Sequence, residues 1–187
     1  MGTSISQPSP TTTNWAAVGT AYDNDAVPIE RLVQELWRAA QGVDAADWRA
    51  LLAEPVIVAC KDIAIQSETP ASAGAGAARE IVRRRASSLA ATIAQRAVVQ
   101  SFAAADRAQG FAQSLFVGVS DYLVSRDLSG RVGATERTRT IADLMHFKAA
   151  VRERVAEVVR RAGVPPQPGA DEDWRTFVAT TIEQLAG

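Results

Sequence analysis

The sequence has one cysteine and one histidine, and each shortage excludes a class of site. Cys60 has no partner for an internal disulfide, which fits a reducing compartment, so we expect a cytoplasmic protein. Cys60 and His146 alone cannot supply the ligands of a structural zinc site, and no His-x-x-x-His or Glu-x-x-His spacing occurs. We therefore predict no metal site, no cofactor and no cofactor-binding residues.

The chain also lacks an excess of charge of either sign. Its 20 basic and 21 acidic residues leave a formal net charge of −1, so no overall field draws it onto nucleic acid or an anionic membrane. Lys61 and Lys148 are the only lysines, and arginine supplies the other basic residues. No uncharged apolar run approaches the roughly 20 residues that span a bilayer. We therefore expect a soluble protein with no membrane partner.

The N-terminal residues MGTSISQPSPTTTN contain no basic residue and no apolar core, so we expect no secretory signal here. Gly2 and Ser6 match the myristoylation pattern, but no basic patch follows and a single acyl chain anchors only marginally. The Ser, Thr and Pro content instead favours a disordered arm over residues 1–14. We expect one domain over residues 15–187.

Apolar residues recur at helical spacing through most of that domain and predict an all-α bundle of six or seven helices. The first of these helices begins near Pro28. Thr140 and Asp143 resemble a capping box before a clean apolar stripe, and Asp171 or Asp173 is the predicted cap of the last helix. Gly110 predicts a break or kink.

The segment from Val56 to Ile65 is open to two interpretations. Its β-branched residues favour a strand, whereas Ile57, Cys60 and Ala64 also lie at helical offsets. No other segment offers an obvious partner strand, and a lone strand leaves its backbone hydrogen bonds unmade. We therefore favour a helix.

Residues 77–107 are rich in alanine and predict the central helix of the bundle. Between Ala86 and Ala105 the only charged residue is Arg96. A helix that is apolar on most sides is a buried one.

The glycine-rich stretch from Ser67 to Arg85, SETPASAGAGAAREIVRRR, can be compared with known phosphate-binding loops. A P-loop needs Gly-Lys-Ser/Thr at the helix entrance, where Ala77-Ala78-Arg79 stands instead, and a dinucleotide fingerprint needs glycine at position 79. Both patterns fail at their defining residues. The glycines are better interpreted as a mobile linker between two helices.

Two arginine groups are candidate contacts for anions or nucleic acid, namely Arg83 with Arg84 and Arg137 with Arg139. Arg83 and Arg84 are followed by Arg85, and three consecutive helical residues point about 100° apart, so at most two of the three could face the same ligand. Glu80 stands four residues before Arg84 and predicts an ordinary surface ion pair. A nucleic-acid-binding or regulatory role through these helix faces is therefore an alternative and not the favoured function.

Catalytic groups are equally scarce. A Cys60–His146 nucleophile pair is conceivable, but a free cysteine usually packs as a small hydrophobe. Arg96 and Lys148 lie on apolar helix faces and are candidate buried charges. A buried charge needs a partner, so either residue could line the pocket of a ligand-binding bundle or a small enzyme. That is the second alternative, and we assign no catalytic residue.

The favoured function is a non-enzymatic helical interaction or adaptor protein that acts through protein–protein contacts and self-associates. Large aromatic side chains are either core anchors or interface contacts, with the core as the default. Trp15 and Trp174, towards the two ends of the chain, are the candidate interface residues. We predict a protein partner and a homo-oligomer.

Overall fold

A computed structural model of the chain describes residues 13–41, 45–66, 68–84, 89–128, 133 and 135–187, without the side chains of 13–16, 45–47 and 127. The predicted arm lies outside this description except for Thr13 and Asn14, which begin the first helix. The described residues form helices and no strand, so the all-α prediction is confirmed. The α-helices are α1 (Thr13–Asp23), α2 (Ile29–Ala40), α3 (Ala45–Leu52), α4 (Pro55–Ile65), α5 (Ala71–Arg84), α6 (Leu89–Ser101), α7 (Arg107–Asp127), α8 (Ile141–Arg161) and α9 (Asp171–Ala186).

The ambiguous segment Val56 to Ile65 is helical, as favoured, and forms α4. Two differences from the prediction raise the number of helices in the described residues above six or seven. Residues 13–23, which the pattern did not assign to a helix, form α1. The predicted central helix over 77–107 is not one helix.

The predicted central helix is wrong in both its extent and its position. Its residues belong to α5 and α6, and a turn over 102–106 separates α6 from α7. The central element is α7, which packs against α4, α6 and α8 and carries fully buried large side chains. These are Phe111, Leu115, Phe116, Val119 and Leu123. Bulky side chains fill more of a core than alanines do, so α7 and not the alanine-rich segment lies at the centre.

The prediction of a mobile glycine-rich linker is also wrong, because residues 71–84 are helical. Gly74 lies inside α5 and donates its N–H to Pro70 O at 2.8 Å. The five alanines around Gly74 and Gly76 favour a helix strongly enough to outweigh the cost of the two glycines. Gly74 is buried against the ring of Phe102 in the turn after α6, where a Cβ would collide with that ring.

The helix ends follow the local chemistry at some of the predicted positions. Thr140 caps α8, and with Asp143 it makes both hydrogen bonds of the predicted capping box. The Thr140 hydroxyl donates to Asp143 Oδ2, and this bond, together with the one from the Thr140 backbone N–H, holds the pKa of Asp143 below its usual value. The predicted aspartate cap of α9 is wrong, since Ala170 occupies that position and Asp171 and Asp173 lie in the first turn. Their charges still favour the positive end of the helix dipole.

The break predicted at Gly110 occurs earlier. Asp106 is the N-cap of α7 and accepts a hydrogen bond from the backbone N–H of Gln109 at 3.0 Å. Gly110 is therefore a helical residue of α7, buried against Ala104. The capping aspartate, and not the glycine, sets the boundary.

Arg137 joins the segment before α8 to the loop after α1. Its guanidinium donates to the carbonyl oxygens of Asn24 (3.0 Å) and Val27 (2.6 Å), and it lies over the ring of Phe147. Its backbone N–H donates to Asp25 Oδ1 at 2.9 Å. Its side chain is 10% exposed. Arg137 therefore holds these two segments together. Its prediction as an anion or nucleic-acid contact is corrected to a structural role.

Candidate functional site

A groove of about 560 Å³ lies among the helices, with α6 and α8 as its walls and α7 as its floor. Volumes of this size are typical of ligand pockets. The lining residues are Leu89, Thr92, Ile93, Arg96 and Gln100 on α6, Ser114, Val117, Gly118, Asp121, Tyr122 and Ser125 on α7, and Lys148 and Arg152 on α8. We refer to this surface as the groove.

Gly118 sets how closely α6 approaches the floor of the groove. A Cβ at Gly118 would lie 2.6 Å from Ile93 Cγ2, well inside van der Waals contact. Only glycine therefore lets Ile93 reach the α7 backbone. Ser114 and Ser125 are also small, so the floor stays low and leaves room between the walls.

The groove has an excess of positive charge in a protein whose net charge is near zero. Arg96, Lys148 and Arg152 line it, and Asp121 supplies the one carboxylate among its described lining residues. Arg152 Nε lies 2.9 Å from both oxygens of Asp121, a pairing that raises the pKa of Arg152. Two of the three cations have no such carboxylate.

Lys148 reaches only a neutral group, donating to Ser125 Oγ at 3.2 Å. Arg96 is exposed and makes no hydrogen bond or ion pair with any residue that the structure describes. Two positive charges that pair with no carboxylate among the described residues therefore face one cavity. Within a concave surface such charges raise the local concentration of anions.

The predicted buried charges are corrected accordingly. Arg96 is exposed because it lies on the side of α6 that faces the groove, and Lys148 is half-buried where α8 crosses α7. The charged residue that is fully buried, among those described, is Lys61. Both predicted residues nevertheless line the same cavity, which is the arrangement expected of a ligand-binding bundle.

Lys61 was not singled out by the sequence, although the signal was present. It lies four residues after Ile57 and three before Ala64, on the buried face of α4. Its ammonium donates to Gln167 O at 3.2 Å, lies 3.1 Å from Asp62 Oδ1 and stands over the ring of Trp174. These partners satisfy the charge, so Lys61 is a structural residue.

The other predicted arginine contacts carry their own counter-ions. Arg83 and Arg84 both donate to Glu80, at 2.9 and 2.7 Å, and these bonds lower the pKa of Glu80. Arg139 pairs with Glu136 at 3.2 Å. All of these side chains are exposed, and the predicted Glu80–Arg84 pair is present. Neither group forms a continuous basic surface.

Cys60 and His146 have opposite environments. Cys60 is fully buried in α4, and burial raises the pKa of its thiol to about 11. His146 is exposed on α8. A nucleophilic cysteine needs a lowered pKa, so Cys60 has the environment of a core residue.

The two candidate interface tryptophans have different outcomes. Trp174 is fully buried, donates its indole N–H to Leu52 O at 2.8 Å and stacks on Phe177. It is therefore a core residue, which corrects its assignment to an interface. Trp15 lies in α1, but its side chain is outside the described part of the chain.

The described helices include none that is long and apolar enough to cross a membrane. The described side chains also contain no group of three His, Cys, Asp or Glu residues that could hold a metal ion. Comparisons with protein-family models, with curated proteins and with solved structures find no match for this chain.

Proposed function

We propose that this protein is a non-enzymatic binding module and that the groove recognises an anionic group of its partner. The observation that carries the proposal is the convergence of Arg96, Lys148 and Arg152 on one cavity that holds a single carboxylate. A carboxylate or phosphate in the groove would neutralise the two charges that no carboxylate in the described part of the chain compensates. Arginine donors suit such groups because their N–H bonds match two oxygens at once.

The non-enzymatic part of the proposal is supported by the state of the candidate nucleophile. Cys60 is enclosed in the core, and its raised pKa keeps the thiol protonated at neutral pH. The Ser125 hydroxyl in the groove accepts a hydrogen bond from the Lys148 ammonium, which is a cation and not a general base. A cytoplasmic location, where Cys60 would stay reduced, belongs to the same proposal.

The test is an NMR titration of the labelled protein with inorganic phosphate at constant ionic strength. We expect shifts of amide signals along the groove and a saturable, weak affinity. Replacing both Arg96 and Lys148 by Ala should weaken binding by about fivefold or more, since each contact with a partly exposed charge contributes about 0.5–1 kcal/mol.

Arg175→Ala is the matched control, because Arg175 is an exposed arginine on α9, outside the groove. Its removal should leave the phosphate affinity unchanged. Shifts of similar size at all exposed arginines would show mere charge screening and would contradict the proposal.

Self-association is a second candidate, favoured by apolar side chains that the described surface leaves exposed. Ile141, Met145 and Val99 are 76%, 57% and 52% exposed, and all three lie on the wall helices α6 and α8. If they form a contact between copies, light scattering should give twice the monomer mass at high concentration. The double variant Ile141→Ser and Met145→Ser should then be a monomer, whereas a monomeric parent protein would exclude this candidate.

A further inference from the structure

Apolar and cationic side chains share one stripe along α8, and this stripe continues the wall of the groove. Ile141, Met145, Lys148 and Arg152 are spaced by four, three and four residues, so they lie on the same side of the helix. Lys148 and Arg152 line the groove, whereas Ile141 and Met145 are exposed beyond it towards the helix start. The wall is therefore apolar at one end and basic at the other.

The opposite wall has a related pattern. On α6, Leu89, Ile93, Arg96 and Gln100 line the groove, and Leu89 is 40% exposed. Of the five large hydrophobic side chains that are exposed in the described residues, four lie on α6 or α8. Such clustering at the edges of a concave surface is typical of a protein contact site.

The dimensions of the groove match a secondary-structure element and exceed those of a single phosphate. The floor from Ser114 to Ser125 extends along about 17 Å of α7, or three helical turns. Small side chains at Ser114 and Ser125 keep two positions of this floor low, which favours the close approach of another helix, and packed helices usually lie about 8–10 Å apart.

We infer that the occupant of the groove is an acidic amphipathic helix of a partner protein. Carboxylates on one side of that helix pair with Arg96 and Lys148, and apolar residues on the adjacent side cover Ile141, Met145 and Leu89. The choice of occupant follows from charge complementarity, because the groove carries excess positive charge and an apolar rim. An amphipathic helix laid in a groove is a common mode of recognition. This inference rests on the proposed function, since it names the molecule that carries the anionic group.

The probe is a synthetic helical peptide of about 14 residues, or four turns, with Glu on one side and Leu on the adjacent side. A second peptide replaces each Glu by Gln and keeps the same apolar face. We expect the acidic peptide to bind at least about fivefold more tightly than the Gln peptide, because the charge pairs with Arg96 and Lys148 are lost together. Phosphate should compete with the acidic peptide.

Two protein variants separate the peptide contacts from simple anion binding. Arg96→Ala should weaken the binding of both the peptide and phosphate by about two- to fivefold. The double variant Ile141→Ala and Met145→Ala should weaken only the peptide, by about fivefold or more, since phosphate does not reach the apolar rim. Arg175→Ala should change neither affinity. All replaced side chains are exposed, so the variants retain the fold.

Three results would overturn the inference and leave the proposed function standing. They are groove-specific phosphate binding without competition by the acidic peptide, equal binding of the two peptides, and full peptide affinity in the double apolar variant. In those cases the groove serves a small anion or another kind of partner. Absence of both peptide and phosphate binding would overturn the proposed function as well.

Discussion

Replacing Trp174 by alanine should cost about 4 kcal/mol in the free energy of unfolding and lower the melting temperature by about 10 °C. The indole is fully buried and lies at the meeting point of several helices. It stacks on Phe177 within α9, contacts Phe111 of α7 and supports Lys61 of α4. Truncation would leave a cavity at that junction and an unpaired carbonyl at Leu52. A small domain has only about 5–15 kcal/mol of total stability, so this loss is a large fraction.

The measurement is urea denaturation followed by circular dichroism, which does not depend on the deleted fluorophore. Trp174→Phe is the matched control, because it keeps most of the ring contact and removes the N–H donor. It should cost about 1–2 kcal/mol, the effect of one buried hydrogen bond with some repacking. A cost below 2 kcal/mol for the alanine variant would mean that α9 does not anchor the core as described.

The sequence predicted the elements whose signals are local. The capping box at Thr140 and Asp143, the Glu80–Arg84 pair and the helical state of α4 depend on residues within one or two turns of each other. Such interactions survive in any tertiary context. For the same reason the all-α class could be inferred from periodicity alone.

The central helix was mispredicted because burial is not a local property. An alanine-rich segment is apolar on most sides whether it is enclosed or only lies against a neighbour, as α6 does with Arg96 on its open side. The aromatic and aliphatic residues of α7, such as Phe111 and Leu115, look like one face of an ordinary amphipathic helix. Which of the two helices occupies the centre is decided by side-chain volume, and this emerges only when all the helices pack together.

The candidate site also combines local features that the sequence could predict with a packing arrangement that it could not. Arg96 and Lys148 could be singled out as charges on apolar helix faces, and both line the groove. The juxtaposition of Arg96 with Lys148 and Arg152 could not be predicted, since α6 and α8 come together only because both helices pack on α7. The roles of Arg137 and Lys61 were missed for a related reason. The charged group of each side chain donates its hydrogen bonds mainly to backbone carbonyl oxygens that are distant in sequence.

Lys61 offers a test of whether its charge or its stem stabilises the core. Lys61→Ala should cost about 2–4 kcal/mol, because it removes the aliphatic stem beneath Trp174 and leaves a cavity in a fully buried site. Lys61→Met fills nearly the same volume without the charge. It should cost about 1 kcal/mol or less, since a buried ion often gains little net energy from its partners once its desolvation is included.

The difference between the two variants, measured by urea denaturation, decides the question. Asp62 would lose its cationic neighbour in both, but its side chain is 27% exposed and can turn to water. Lys148→Met is the control for replacing a lysine that is only half-buried, and it should change the stability by about 0.5 kcal/mol or less. Equal losses for Lys61→Met and Lys61→Ala would mean that the hydrogen bond to Gln167 and the pair with Asp62 hold the loop before α9 in place. The charge, and not the packing of the stem on Trp174, would then be the stabilising feature of this buried lysine.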